Sequence, residues 1–244
     1  MEENLNDLRL SGAGNAGGGK FLNVRLSGAC SINGSIECTD LHCSGASEIR
    51  GGVKAKHIKT SGSSDIKGEV SAEEITISGA SHIRGDVSTN NIKTSGASEI
   101  KGNLSANKVE ISGASEINGD CNAESFIARG GFDIGGLLNA DNIDIEIDGR
   151  CRAREIGGEK IKVVEGYRVG SSLGKMLNSI FTSERKELTV SIIEGDDIFL
   201  EYTMASIVRG NKVVIGKGCN IHTVEYKDSI EVDPKAHVSE QKKL

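Results

Sequence analysis

Apolar and polar residues alternate in short runs, and the runs recur every 17 residues along most of the chain. Ile49, Ile66, Ile83, Ile100, Ile117 and Ile134 form one file at that interval, and Val53, Val70, Val87, Leu104, Cys121 and Leu138 form a second. Ile58, Ile75, Ile92, Val109, Phe126 and Ile143 form a third. Side chains on a strand point alternately to its two faces, so Ser47 with Ile49, Val53 with Ala55, and Ile58 with Thr60 are expected to point inward together. Three such pairs per repeat predict three short strands, and a fixed period of this length predicts a chain stacked on itself. A coil this short has no room for crossover helices, so its strands must pair in parallel with the coils above and below, about 4.8 Å away. The expected fold is all-β: a right-handed parallel β-helix with 17-residue, three-strand coils. Its core is predicted at Ile49, Ile66, Ile83, Ile100, Ile117, Val53, Val70, Val87 and Leu104.

Two series of glycines keep the same interval, one from Gly28 to Gly130 and one from Gly34 to Gly136. They fit the corners between strands, where positive φ costs least without a Cβ. The chain has no tryptophan and a single proline. Large rings are not expected in so narrow a coil, and a proline would remove a ladder hydrogen bond.

The organisation along the 244 residues follows from this pattern. Residues 1–165 read as the β-helix, with regular coils over about 28–145 and an irregular first coil at 8–27. Leu8-Arg9-Leu10-Ser11-Gly12 matches Val24-Arg25-Leu26-Ser27-Gly28 at an interval of 16. After Gly149 the run to Ile156 looks like the second half of the unit arriving early, which predicts a shortened coil. Residues 166–187 read as a helical connection, because Leu173, Met176, Leu177, Ile180 and Phe181 fall on one helical face. Strand alternation returns in 188–234, with a weak 17-residue spacing at Val190, Ile207 and Val224 and at Ile198, Ile215 and Val232. That part reads equally as further coils or as a sheet packed beside the first stack. Residues 235–244 read as a frayed tail.

Composition narrows the function. A net charge of -6 argues against nucleic acid as a partner. Neither a basic leader followed by an apolar run nor a stretch of about 18 apolar residues is present, so direct membrane insertion is not expected and a cytoplasmic location is. The six cysteines form no CxxC pair, and Cys30, Cys38, Cys43 and Cys121 occupy inward slots, so they read as small core residues rather than metal ligands or disulfides.

Several motifs touch on chemistry. Gly14-Asn15-Ala16-Gly17-Gly18-Gly19-Lys20 fits GxxxxGK, but Phe21 stands where a phosphate loop needs a hydroxyl for magnesium, and a strand rather than a helix follows. Val213 to Ile221 resembles one turn of a hexapeptide-repeat acyltransferase, without the repeat. His42, His57 and His82 fall in outward slots of separate coils, and His222 and His237 have no evident acidic partner. Glu48, Asp65, Glu99, Glu116 and Asp133 form an acidic file interrupted by His82, with Arg50, Lys67, Arg84 and Lys101 two residues along. Paired charges of this kind solubilise a face and set register. A polysaccharide-cleaving groove would break the repeat with a local carboxylate cluster, and none does so between Gly28 and Gly136. No catalytic residue, cofactor or metal site is expected.

The repeated Ser-Gly-Ala-Ser-Glu-Ile-Lys-Gly, the stretch from Arg129 to Ala140, and Ile156-Gly157-Gly158-Glu159-Lys160-Ile161 together resemble the bactofilins, polymer-forming cytoskeletal proteins of bacteria. Val208-Arg209-Gly210 through Val224-Glu225-Tyr226 is similar to the C-terminal half of the longer, two-part members from Gram-positive bacteria. The resemblance implies a non-enzymatic scaffold whose β-helix polymerises end to end without nucleotide and recruits envelope or morphogenesis proteins. Membrane association would then come through those partners, since the acidic start does not match the apolar targeting segment of many bactofilins. End coils expose unpaired strand edges, which makes Leu8 and Leu10, in the first coil, the candidate assembly end. The alternatives are a monomeric adhesin-like solenoid module and a polysaccharide-acting β-helix enzyme.

Overall fold

The computed structural model describes residues 5–166 and 186–244. Its strands are β1 (Leu8–Lys20), β2 (Asn23–Cys43), β3 (Ala46–Ile49), β4 (Val53–Thr60), β5 (Ser63–Ile66), β6 (Val70–Ile77), β7 (Ala80–Ile83), β8 (Val87–Thr94) and β9 (Ala97–Ile100). They continue as β10 (Leu104–Ile111), β11 (Ala114–Ile117), β12 (Cys121–Ala128), β13 (Gly131–Ile147), β14 (Cys151–Glu165), β15 (Leu188–Leu200), β16 (Thr203–Ile215), β17 (Asn220–Val232) and β18 (His237–Lys243). The pairing is parallel from β1 onto β2 through to β17 onto β18. The molecule is a parallel β-solenoid, with no helix among the described residues.

The 17-residue period becomes in-register stacking: Ile49, Ile66, Ile83, Ile100, Ile117 and Ile134 lie directly over one another. Leu41, Ile58, Ile75, Ile92, Val109, Phe126, Ile143, Ile161, Ile198, Val213 and Ile230 share another column from β2 to β17. All nine predicted core residues are buried. Beside the isoleucine column runs a file of buried serines, Ser47, Ser64, Ser81, Ser98 and Ser115. Their hydroxyls bond within the core: Ser64 donates to Ser81 Oγ at 3.0 Å, and Ser98 and Ser115 share a bond of 2.8 Å. Small polar groups are thus buried with partners, as a dry stack requires.

Several expectations need correction. The coil after Gly149 is lengthened rather than shortened, for Cys151 lies over Phe132 and Ile161 over Ile143, offsets of 19 and 18 residues. Beyond it the stack continues, but at 15 residues from Leu188 to Thr203 and from Ile198 to Val213, so Val190 lies under Ala205 and not Ile207. The 17-residue interval from Ile215 to Val232 does hold. Residues expected to fray after Pro234 form β18, laid over β17. The helical face from Leu173 to Phe181 lies outside the described residues. Rings do enter the core: Phe126 and Phe132 are buried and meet edge to face, with centroids 5.4 Å apart. Phe126 is buried on β12 together with the small residues Cys121 and Ala128.

Candidate assembly ends and the charged face

β1 makes its ladder with β2 alone and β18 with β17 alone, so among the described residues the stack has an open strand edge at each end. Leu8 and Leu10 are only partly buried, although Val24 and Leu26, their partners in the next coil, are wholly so. The difference comes from the open side of the first coil. Leu22 there is 46% exposed. At the far end β18 covers β17 only from Asn220 to Tyr226. Ile230 is partly buried and Val232 is 36% exposed, whereas Val213 and Ile215 beneath them are buried. Both ends therefore expose aliphatic columns of the core.

The charged face has the register read from the sequence: Glu48, Asp65, His82, Glu99, Glu116 and Asp133 stack in one column. The basic file interleaves with it. Lys67 bridges Asp65 and, at 3.4 Å, Glu48; Arg84 reaches Asp65 at 3.6 Å, and Lys101 pairs with Glu99. His82 Nδ1 lies 2.6 Å from Glu99, so the one break in the acidic file also supplies a partner. Burial pushes the Asp65 carboxyl up, but the Lys67 and Arg84 bonds outweigh it and hold it below its ordinary value. The Glu99 carboxyl is lowered mainly by the hydrogen bond from Lys101. The pairs that cross between coils, Lys67–Glu48, Arg84–Asp65 and His82–Glu99, are of the kind that contributes about 0.2–1 kcal/mol each.

Some placements were missed in the sequence. His57 Nδ1 is 3.0 Å from Asp40 in the coil below, its direct rung neighbour. At one corner the carboxylate or amide oxygens of Asp86, Asn103 and Asp120 each accept the backbone N–H one coil on, from Asn103 at 2.7 Å, Asp120 at 2.9 Å and Leu137 at 2.8 Å. Their 17-residue interval was the available signal. Phosphate-loop geometry does not form: Gly14–Lys20 lies inside β1, and Lys20 faces Glu37 at 3.5 Å. All six cysteines are buried and unpaired, and no metal-binding cluster occurs among the described residues. A groove of about 680 Å³ crosses Lys20, Glu37, Lys54, Ser71, Ser88 and Ser105. Its Glu37 is held between Lys20 and Lys54, and its Asp86 by Asn103.

Comparison with known proteins bears on this regular stack. Residues 22–105 match the model of the family described as Bactofilin, polymer-forming cytoskeletal. The family match covers that segment of the chain. Two curated proteins are also similar to part of the chain. The uncharacterized proteins YhbF and YhbE of Bacillus subtilis (strain 168) are 40% identical over 91 residues and 43% identical over 96 residues. These stretches are 37% and 39% of this chain, and the chain spans 34% and 38% of the two relatives. No solved structure matches. The matched segment contains β2 to β9, and among the described residues no helix is long and apolar enough to cross a membrane.

Proposed function

We propose that this chain is a cytoplasmic, non-enzymatic scaffold that assembles end to end into polymers without nucleotide. The observation that carries the reading is that, among the described residues, the first and last strands leave unpaired edges beside partly exposed aliphatic core columns, which another copy could extend. The bactofilin segment supports it, since that family is described as polymer-forming and cytoskeletal. The long charged sides would remain free along a polymer to recruit envelope or morphogenesis proteins, and any membrane association would come through them. Electron microscopy of the purified protein with no nucleotide added tests the reading. Extended polymers are the expected result, and Lys20→Ala should form them equally well. A parent that runs as a discrete monomer or dimer at every concentration and salt tested defeats it.

A further inference from the structure

We infer that a basic file on the side of the solenoid is a docking surface for a second copy lying alongside, whose own acidic file is the occupant. Arg25, His42, Lys59, Thr76 and Lys93 follow one another in one outward column, a coil apart. Glu124, Asp141, Glu159 and Asp196 do the same in another column, on β12 to β15. Arg25, Lys59, Lys93 and the four carboxylates are exposed, and His42 is half-buried. Among the described residues no ion pair reaches Arg25, His42 or Lys59, nor any of the four carboxylates. The groups nearby are engaged elsewhere: Asp40 faces His57 at 3.0 Å, and Glu110, which ends the basic file, lies 3.4 Å from Lys93 and also pairs with Lys108. Asp196 accepts a hydrogen bond from Asn211 Nδ2 at 2.7 Å. Glu74 near the basic file and Lys160 next to Glu159 close no ion pair with them.

Like charges stacked at strand spacing, about 4.8 Å, repel. On the face of Glu48 and Asp65 the interleaved Lys67 and Arg84 relieve that repulsion. For these two files a second copy supplies what each lacks. Both advance one residue per coil, so two solenoids with aligned axes present cation against carboxylate at the same step, a match that a partner of different rise would lose after a coil or two. Arg25, His42 and Lys59 stand in unbroken succession, so they meet three of the four carboxylates whichever way the second copy points. Ser27, Ser44 and Ser61, exposed at the corner beside the basic file, are short enough to let another rod approach. The contact is heterologous, so every copy carries both halves and sideways association can continue. One exposed ion pair contributes little, but a row made at once between aligned rods acts together. The face of Glu48 and Lys67 stays clear.

A carbodiimide joins a lysine amine to a carboxylate only where the two touch, so it reads the contact in the unaltered protein. In a 1:1 mixture of isotope-labelled and unlabelled chains at low salt, cross-linked peptides with one half from each should join Lys59 to Glu124, Asp141, Glu159 or Asp196. Their yield should collapse between about 0.01 M and about 1 M salt, as the screening length falls from about 30 Å to about 3 Å. Inter-copy links that never involve Lys59 overturn the proposal. Charge reversal checks it independently: Arg25→Glu/Lys59→Glu and Glu124→Lys/Glu159→Lys should each keep the parent's circular dichroism and lose its salt-sensitive association. Mixed 1:1 they should regain it, because each reversed file then faces a complement on the other variant; a mixture that stays apart overturns the proposal. The proposal does not rest on the end-to-end reading. A parent that forms single, unbundled filaments at low salt defeats the side contact and leaves end-to-end assembly standing, whereas Lys59 links between copies that never form filaments do the reverse.

Discussion

A methyl group on Gly96 would collide with the backbone carbonyl of Gly79, and the same holds one coil on for Gly113 against Gly96. These corner glycines do not have the positive φ expected of them; that conformation occurs at Gly28 and Gly34, near the start of the stack. The chain needs glycine at Gly96 for close approach between coils, a demand that only the neighbouring coil's coordinates reveal. Gly96→Ala should therefore cost about 1–3 kcal/mol in denaturant unfolding, the usual range for overpacking, because a backbone atom must move. Gly17, with nothing within 4 Å of its Cβ position, should accept alanine without measurable loss. The thiols give a second prediction. Burial pushes Cys38, Cys43 and Cys219 up to about 11 and Cys121 and Cys151 to about 12, from an ordinary 9.0. Above pH 9 the unfolded thiols lose protons that the folded ones keep, so the unfolded state gains and stability falls as pH rises from 9 towards 12. Replacing Cys121 and Cys151 by alanine should flatten the melting temperature against pH in that window, and a slope unchanged by the replacement would refute the assignment.

At the scale of a coil, stability comes from contacts with the two neighbouring coils, as in other solenoids. Ile83 ends β7 at 2% exposure, between Ile66 and Ile100. Ile83→Val removes one methylene and should cost about 0.5–1.5 kcal/mol. Ile83→Asp buries a carboxylate with no cation designed to meet it and should cost several kcal/mol. Amide exchange should show the Asp variant losing protection first in β5, β7 and β9, while β15 to β17 stay protected; uniform loss would mean that the coils unfold as one unit. The regular coils were legible because each inward pair of residues repeats without insertion from Ile49 to Ile134. The C-terminal coils were not, for their corners lose or gain residues: strands that pair at offsets of 19 and then 15 leave no fixed interval to detect. Ile215 and Val232 could be matched because one 17-residue step survives there. Phe126 was legible as a member of the third file, but the expectation that a narrow coil excludes large rings failed, because sequence shows the size of a ring and not the edge-to-face packing of Phe126 on Phe132.

For the whole molecule, the decisive property is that its ends and its middle are separable. Leu8 and Leu10 lie in the first coil and pack on the core from one side only, so a charge at Leu10 disturbs the open face without entering the stack around Ile83. The irregular first coil at Leu8 was legible from the sequence, but the uncovered strand edge at Ile230 and Val232 was hidden, because β18 had looked like a tail and its pairing leaves that edge open among the described residues. Leu10→Arg should keep the β-sheet circular dichroism of the parent and its resistance to unfolding in the central coils. It should nevertheless sediment as small species under conditions in which the parent pellets, since an arginine on the open face would have to be desolvated wherever that face is covered by another copy. Val232→Arg should do the same from the other end. If Val232→Arg alone leaves polymers intact while Leu10→Arg abolishes them, assembly uses the N-terminal end without the C-terminal one. If neither variant reduces pelleting, the contact lies on the sides of the solenoid, and the interleaved column of Glu48, Asp65, Glu99 and their lysines and arginines becomes the surface to change next.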